Sequence, residues 1–130
     1  MLKQTLLFLS ERNDFKNVPF KLPFASHMSG RFVAGDTSEE ALDVARQLNT
    51  SGFRVTLDLL GESVSDRAEA QRAAAEYAES LAEIDAHEAE TTISLKLTQL
   101  GLDIDTDFCY ENLLGIVRRA EELGNFVRID

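Results

Sequence analysis

SLKLTQLGLD, residues Ser94–Asp103, sets a lysine, Lys96, between Leu95 and Leu97 in a stretch that otherwise reads as a strand. A strand buried on both faces should be a nearly continuous apolar run. An ammonium there is costly unless it is paired or faces a wet site. The stretch therefore asks for a ligand site at the mouth of a parallel sheet, and its neighbours encode such a sheet.

TISLKLTQL is the second of three extended segments; RVTLDLLGES begins the first near Arg54, and NFVRID opens the third. Helical patterns alternate with them. Thr37-Ser-Glu-Glu40 matches a capping box, Ala41, Leu42, Ala45 and Leu48 then share one helical face, and Gly52 supplies a stop. The next helix is expected to be capped by Ser65 and to bury Ala70, Ala74, Tyr77, Leu81 and Ile84, its glutamate-rich remainder being solvated. A third starts near Thr106, with Leu113, Val117, Ala120 and Leu123 as its stripe and Gly124 as its stop. Residues 1–36 are read as an N-terminal helical or irregular segment: Leu2, Leu6, Leu7 and Leu9 suggest a short amphipathic helix, which Pro19 and Pro23 end.

Strands alternating with helices imply right-handed crossovers and a parallel α/β sheet. No segment is a GxGxxG phosphate loop, so a dinucleotide-binding doubly wound fold has little support. The expected architecture is the first three β/α units of a (β/α)8 barrel over residues 37–130. A full barrel takes about 200 residues or more, so the barrel is expected to be incomplete.

Side chains alternate across a strand. Val55, Leu57 and Leu59 oppose Thr56 and Asp58; Ile93, Leu95 and Leu97 oppose Ser94, Lys96 and Thr98; Val127 and Ile129 oppose Arg128 and Asp130. Each segment thus has one face for covering helices and one polar face. The charges fall late in the second and third segments, at the strand ends where barrel enzymes place their chemistry. An antiparallel sheet with one wet face alternates too, and on that reading Arg128 and Asp130 are simply exposed, while Asp58 ties down a loop. Lys96 makes the sharper case, because an unpaired interior ammonium loses its charge; Asp130 or an anionic ligand is expected to keep it charged.

Composition narrows the class further. A net charge of -10 argues against a nucleic-acid partner. The apolar runs LLFL and VPFKLPF are too short to span a bilayer, and no signal-peptide pattern is present, so a cytoplasmic chain is expected. One cysteine, Cys109, permits no internal disulfide and no metal cluster; near a helix start its thiol is either activated or simply buried. His27 and His87 are far apart, Ser63 and Ser65 suit helix capping, and Tyr110 and Asn112 are assigned to a helix surface.

FVAGDTSEEAL (Phe32–Leu42), VTLDLLGESV (Val55–Val64), ISLKLTQLGLD (Ile93–Asp103) and FVRID (Phe126–Asp130) together resemble the N-terminal part of the monofunctional bacterial proline dehydrogenases. That resemblance implies a (β/α)8 barrel holding FAD, which oxidises L-proline to Δ1-pyrroline-5-carboxylate and passes electrons to a membrane quinone, with peripheral membrane association. It also implies that Lys96 binds the substrate carboxylate and that Asp130, as substrate-binding and catalytic residue, lies beside the amine and the flavin. The resemblance places the later strands, most FAD contacts and the paired substrate-binding arginines of that family in a C-terminal part with no counterpart here. The chain is accordingly expected to be a truncated or split product, inactive alone and completed by a C-terminal chain. The alternative is a non-catalytic α/β association module or relic of the enzyme.

Overall fold

The computed structural model describes residues 6–10, 33–35, 37–61 and 64–130. Its elements run β1 (Leu6–Ser10), β2 (Val33–Gly35), α1 (Ser38–Thr50), β3 (Val55–Leu59), α2 (Arg67–Ala86), β4 (Thr91–Leu95), a 3-10 turn (Leu97–Leu100), α3 (Thr106–Glu122) and β5 (Val127–Ile129). They form one sheet of order β2-β1-β3-β4-β5. The expected alternation from α1 to β5 is present, and β3, β4 and β5 are parallel neighbours. β1, in contrast, lies antiparallel to both β2 and β3.

The strand at Leu6–Ser10 replaces part of the helix expected there. A short apolar run fits helix or strand equally well by pattern, and pairing with the edge of β3 satisfies its backbone groups. The rest of the expected N-terminal helix lies outside the described residues.

Local chemistry sets each helix boundary. Thr37 Oγ1 accepts from Glu40 N at 3.2 Å to start α1, and Gly52, at φ +86, follows its end in the left-handed region that glycine enters without a Cβ penalty. α2 is capped by Asp66, which accepts from Glu69 N at 2.8 Å, while Glu69 reaches back to Ser65 N. The expected Ser65 cap is thus displaced by one residue, because the carboxylate also complements the helix dipole. α3 is capped by Asp105, accepting from Phe108 N at 2.9 Å.

Val55, Leu57, Ile93 and Leu95 are buried with Leu42, Leu48, Tyr77, Leu81, Ile84, Cys109, Ile116 and Ala120 in one core. Each fully buried Leu or Ile contributes about 2 kcal/mol of transfer free energy. The α3 stripe differs from the expected one. Ile116 is buried and Val117 is 41% exposed, since Cys109, Leu113, Ile116, Ala120 and Leu123 recur in alternating steps of four and three, which hold one face. Asn112 is likewise no mere surface residue: its Nδ2 donates to Leu100 O at 3.0 Å. Among the described residues no helix is long and apolar enough to cross a membrane.

Candidate functional site

Register brings the polar positions together. Asp58 pairs across the parallel ladder with Ser94, and Ser94 with Arg128. Asp130 N donates to Leu95 O at 2.9 Å. Continuing the register by two residues sets Lys96 beside Asp130 at the C-terminal ends of β4 and β5. Ser94, fully buried, donates through Oγ to Asp130 Oδ2 at 2.6 Å, and Arg128 Nε lies 3.8 Å from Asp130 Oδ1.

Lys96 differs from expectation in two respects. It follows β4 rather than continuing it, in extended backbone (φ -110, ψ 131) before the 3-10 turn, and its side chain is exposed. The strand stops at Leu95 because residues 97–100 wind tightly, with Gly101 at φ +97 closing the turn. Lys96 makes no ion pair within 4 Å with a carboxylate of the described residues, Asp130 included. Its ammonium is therefore open to solvent.

The turn that carries Lys96 is tied down on every side. Cys109 Sγ lies 3.4 Å from Leu97 O, Asn112 holds Leu100 O, and Leu102 N donates to Leu97 O at 3.1 Å. Burial pushes the Cys109 thiol above its usual range, which fits a packed thiol rather than a reactive one.

Gln99 joins this turn to the end of β3. Its Nε2 donates to Leu59 O at 2.9 Å and to Gly61 O at 3.2 Å, and its Oε1 accepts from Tyr77 Oη at 2.5 Å. Tyr77 Oη is also 3.4 Å from Asp58 Oδ1. Tyr77, Gln99 and Asp58 are 1%, 4% and 8% exposed, so water cannot replace these contacts. Asp58 is raised above the usual carboxylate range mainly by burial; Lys96 opposes the rise and Asp130 adds to it. Burial and the nearby Asp58 drive the Tyr77 phenol far above its usual value.

Sequence reasoning put Lys96 and Asp130 towards this end of the sheet and gave Asp58 a loop-holding role, but missed Tyr77, Gln99 and Ser94 as polar partners. A signal existed for two of them. A tyrosine in an alanine–leucine stripe needs a hydrogen-bond partner when buried, and a glutamine between leucines in LTQL is its natural counterpart.

The same end of the sheet holds the N-termini of α2 and α3, where a phosphate could in principle sit. Both are filled by the carboxylates of Asp66 and Asp105.

The parallel strands β3, β4 and β5 thus carry Lys96, Asp58 and Asp130 at their C-terminal ends, the ends at which parallel α/β barrels place their sites. The profile of the proline dehydrogenase family matches residues 41–130. The chain is 34% identical, over its whole length, to proline dehydrogenase 1 of Bacillus subtilis strain 168, of which it covers 43%. It is 38% identical over 95% of its length to proline dehydrogenase 2 of the same strain, covering 41% of that protein. The proline dehydrogenase of Deinococcus radiodurans is 29% identical over 80% of the chain, which covers 34% of it. The chain belongs to the proline dehydrogenase family, and it spans about two fifths of the length of its Bacillus relatives.

Proposed function

We propose that the chain forms the substrate-facing N-terminal part of an FAD-dependent proline dehydrogenase, built on the first β/α units of a (β/α)8 barrel. With the remaining part of that fold it oxidises L-proline to Δ1-pyrroline-5-carboxylate, FAD taking up the electrons. The observation that supports this reading is the parallel register of β4 and β5, which runs to Leu95 and Ile129, the residues just before Lys96 and Asp130, within a chain of this family.

Proline at neutral pH is a zwitterion, and the two residues match it in charge. Lys96 binds the carboxylate through a charge-assisted bond, and its solvated ammonium is free to do so. Asp130, oriented by Ser94 and Arg128, faces the amine and balances its charge. The tied turn at residues 97–100 fixes the backbone from which Lys96 projects, so that binding loses little chain entropy. The part of Lys96 and Asp130 in the reaction is binding and orientation of proline.

The test is proline-dependent dye reduction with added FAD, by the chain alone and with the C-terminal part of a relative. Turnover is expected only in the complemented sample. There Lys96→Met is expected to lower kcat/KM by about a hundredfold, the scale of losing one desolvated charge partner, without shifting the melting temperature. A Lys96→Met effect under about threefold overturns the assignment. A second reading, a non-catalytic association module, draws on the exposed Phe126 (61%) and Ile129 (50%) at β5; stable complementation with no turnover favours it.

A further inference from the structure

The side chain of Gln99 fastens the turn that carries Lys96 to the end of β3. Its Nε2 donates to Leu59 O at 2.9 Å and to Gly61 O at 3.2 Å, and its Oε1 accepts from Tyr77 Oη. Two carbonyl oxygens facing one amide nitrogen fix which way round the amide sits, because a flipped amide would aim its own oxygen at both. Gln99 is 4% exposed, so water does not stand in for these partners, and leaving one unmet costs the desolvation of a polar group.

The main chain of the same residue carries that fixed point on to Lys96. Gln99 N donates to Lys96 O at 3.0 Å, so the path from the β3 end to Lys96 is two hydrogen bonds through one residue. The remaining ties divide by direction. Cys109 and Asn112, both on α3, hold Leu97 O and Leu100 O, and they leave the spacing between the turn and β3 open. On the β3 side Val64 N reaches Thr98 O only at 3.4 Å, beyond the usual range for such a bond. Lys96 has extended backbone and an exposed side chain, so the place of its backbone decides where its ammonium can reach.

We propose that Gln99 is the positioning residue of Lys96: it clamps the turn at residues 97–100 to the end of β3 and so places the ammonium where a substrate carboxylate meets it. The proposal rests on the reading of Lys96 as a carboxylate-binding group. Gly61 belongs to the same clamp. A Cβ there would stand 3.0 Å from Gln99 Nε2, so Gly61→Ala displaces the amide without removing any of its atoms. Tyr77 is subsidiary, since Tyr77→Phe leaves both donations from Nε2 in place.

The test follows the Lys96 amide by ¹H–¹⁵N NMR in the full chain, with cyclopentanecarboxylate, the amine-free carbocyclic analogue of proline, as the probe. Gln99→Met keeps the length of the side chain and loses its three bonds. It is expected to move the Lys96 signal, to lower its order parameter from about 0.85 towards about 0.6, and to weaken the probe about tenfold. Gly61→Ala is expected to act in the same direction by less. Tyr77→Phe is expected to destabilise the fold while leaving the Lys96 amide near wild type, which separates position from stability. In a Lys96→Met background, Gln99→Met is expected to change probe binding by less than about twofold, because nothing is left for it to place. An equal loss in both backgrounds overturns the proposal, and so does a Lys96 amide unmoved by Gln99→Met. A Lys96 amide that moves, with probe binding absent or indifferent to Lys96→Met, supports the clamp and overturns instead the reading of Lys96 as an anion site. Should Gln99→Met not fold, Gly61→Ala decides: Gly61 is exposed, and a Lys96 amide unmoved there overturns the proposal.

Discussion

Replacing Tyr77 by Phe removes one oxygen and tests the Gln99 bridge. The ring stays in its packed position, 1% exposed, and Gln99 keeps both donations to Leu59 O and Gly61 O. What changes is Gln99 Oε1, which loses its donor in a place water does not reach. A buried acceptor left unsatisfied costs about 1–3 kcal/mol, and phenylalanine offsets part of this because it has no hydroxyl to desolvate. The net expectation is about 2 kcal/mol of destabilisation, or about 8 °C in melting temperature for a chain of this size. Urea unfolding followed by circular dichroism measures it, with an unchanged slope showing that only stability has moved. Tyr110→Phe is the internal control: Tyr110 is 59% exposed, and the same chemical change there should fall within about 0.5 kcal/mol of wild type. A double-mutant cycle with Gln99→Met should show a coupling of about 1 kcal/mol. If Tyr77→Phe matches the Tyr110 control, the buried bridge does not exist as described.

Two other changes probe the turn that carries Lys96. Gly101→Ala adds a Cβ where φ is +97 and where Phe108 ring carbons stand 2.9 Å away; left-handed strain plus overpacking should cost about 2–4 kcal/mol, measured by urea unfolding. Asp105→Ala removes the α3 cap. Its carboxyl is held below the usual range, first by Phe108 N–H and then by Arg67, so its contribution is present above the ordinary carboxylate pKa and lost as pH falls through the depressed folded value. The variant should melt below wild type at pH 7, and thermal scans should show the gap closing in strong acid.

The alternation of apolar and polar residues made the parallel unit from α1 to β5 legible, because period 2 and period 3.6 separate cleanly there. Leu6–Ser10 was not legible, since a strand that pairs with the edge of β3 owes its form to a partner far along the chain. Lys96 and Asp130 stood out because charge at a strand end is conspicuous, whereas Asp58 read as a residue that ties down a loop. Lys96 was nonetheless taken as a strand residue: LKLTQL keeps the alternating pattern past Leu95, and nothing local announces that residues 97–100 wind into a turn held by Asn112 and Cys109. The Gln99–Tyr77 bridge joins residues 22 apart, a pairing that no window of sequence periodicity can contain.

The net charge of -10 bears on which ligand suits Lys96. At long range such a chain repels any anion, and over distances beyond about 8 Å physiological salt screens that repulsion. At contact, Lys96 attracts a carboxylate, while Asp130 repels it and Asp58 competes for the same ammonium. A simple carboxylate therefore meets opposition from the field of the whole chain and from both neighbours. A zwitterion does not: its net charge is zero, and on the proposed reading its carboxylate meets Lys96 and its ammonium Asp130. Rising ionic strength from 10 to 150 mM should strengthen binding of cyclopentanecarboxylate, by relieving repulsion, and leave proline affinity within about twofold. Calorimetric titration of the complemented protein measures both. A proline affinity that climbs with salt in step with the carboxylate would show that the amine gains nothing from Asp130, and the charge-matched pair at the strand ends would have to be abandoned.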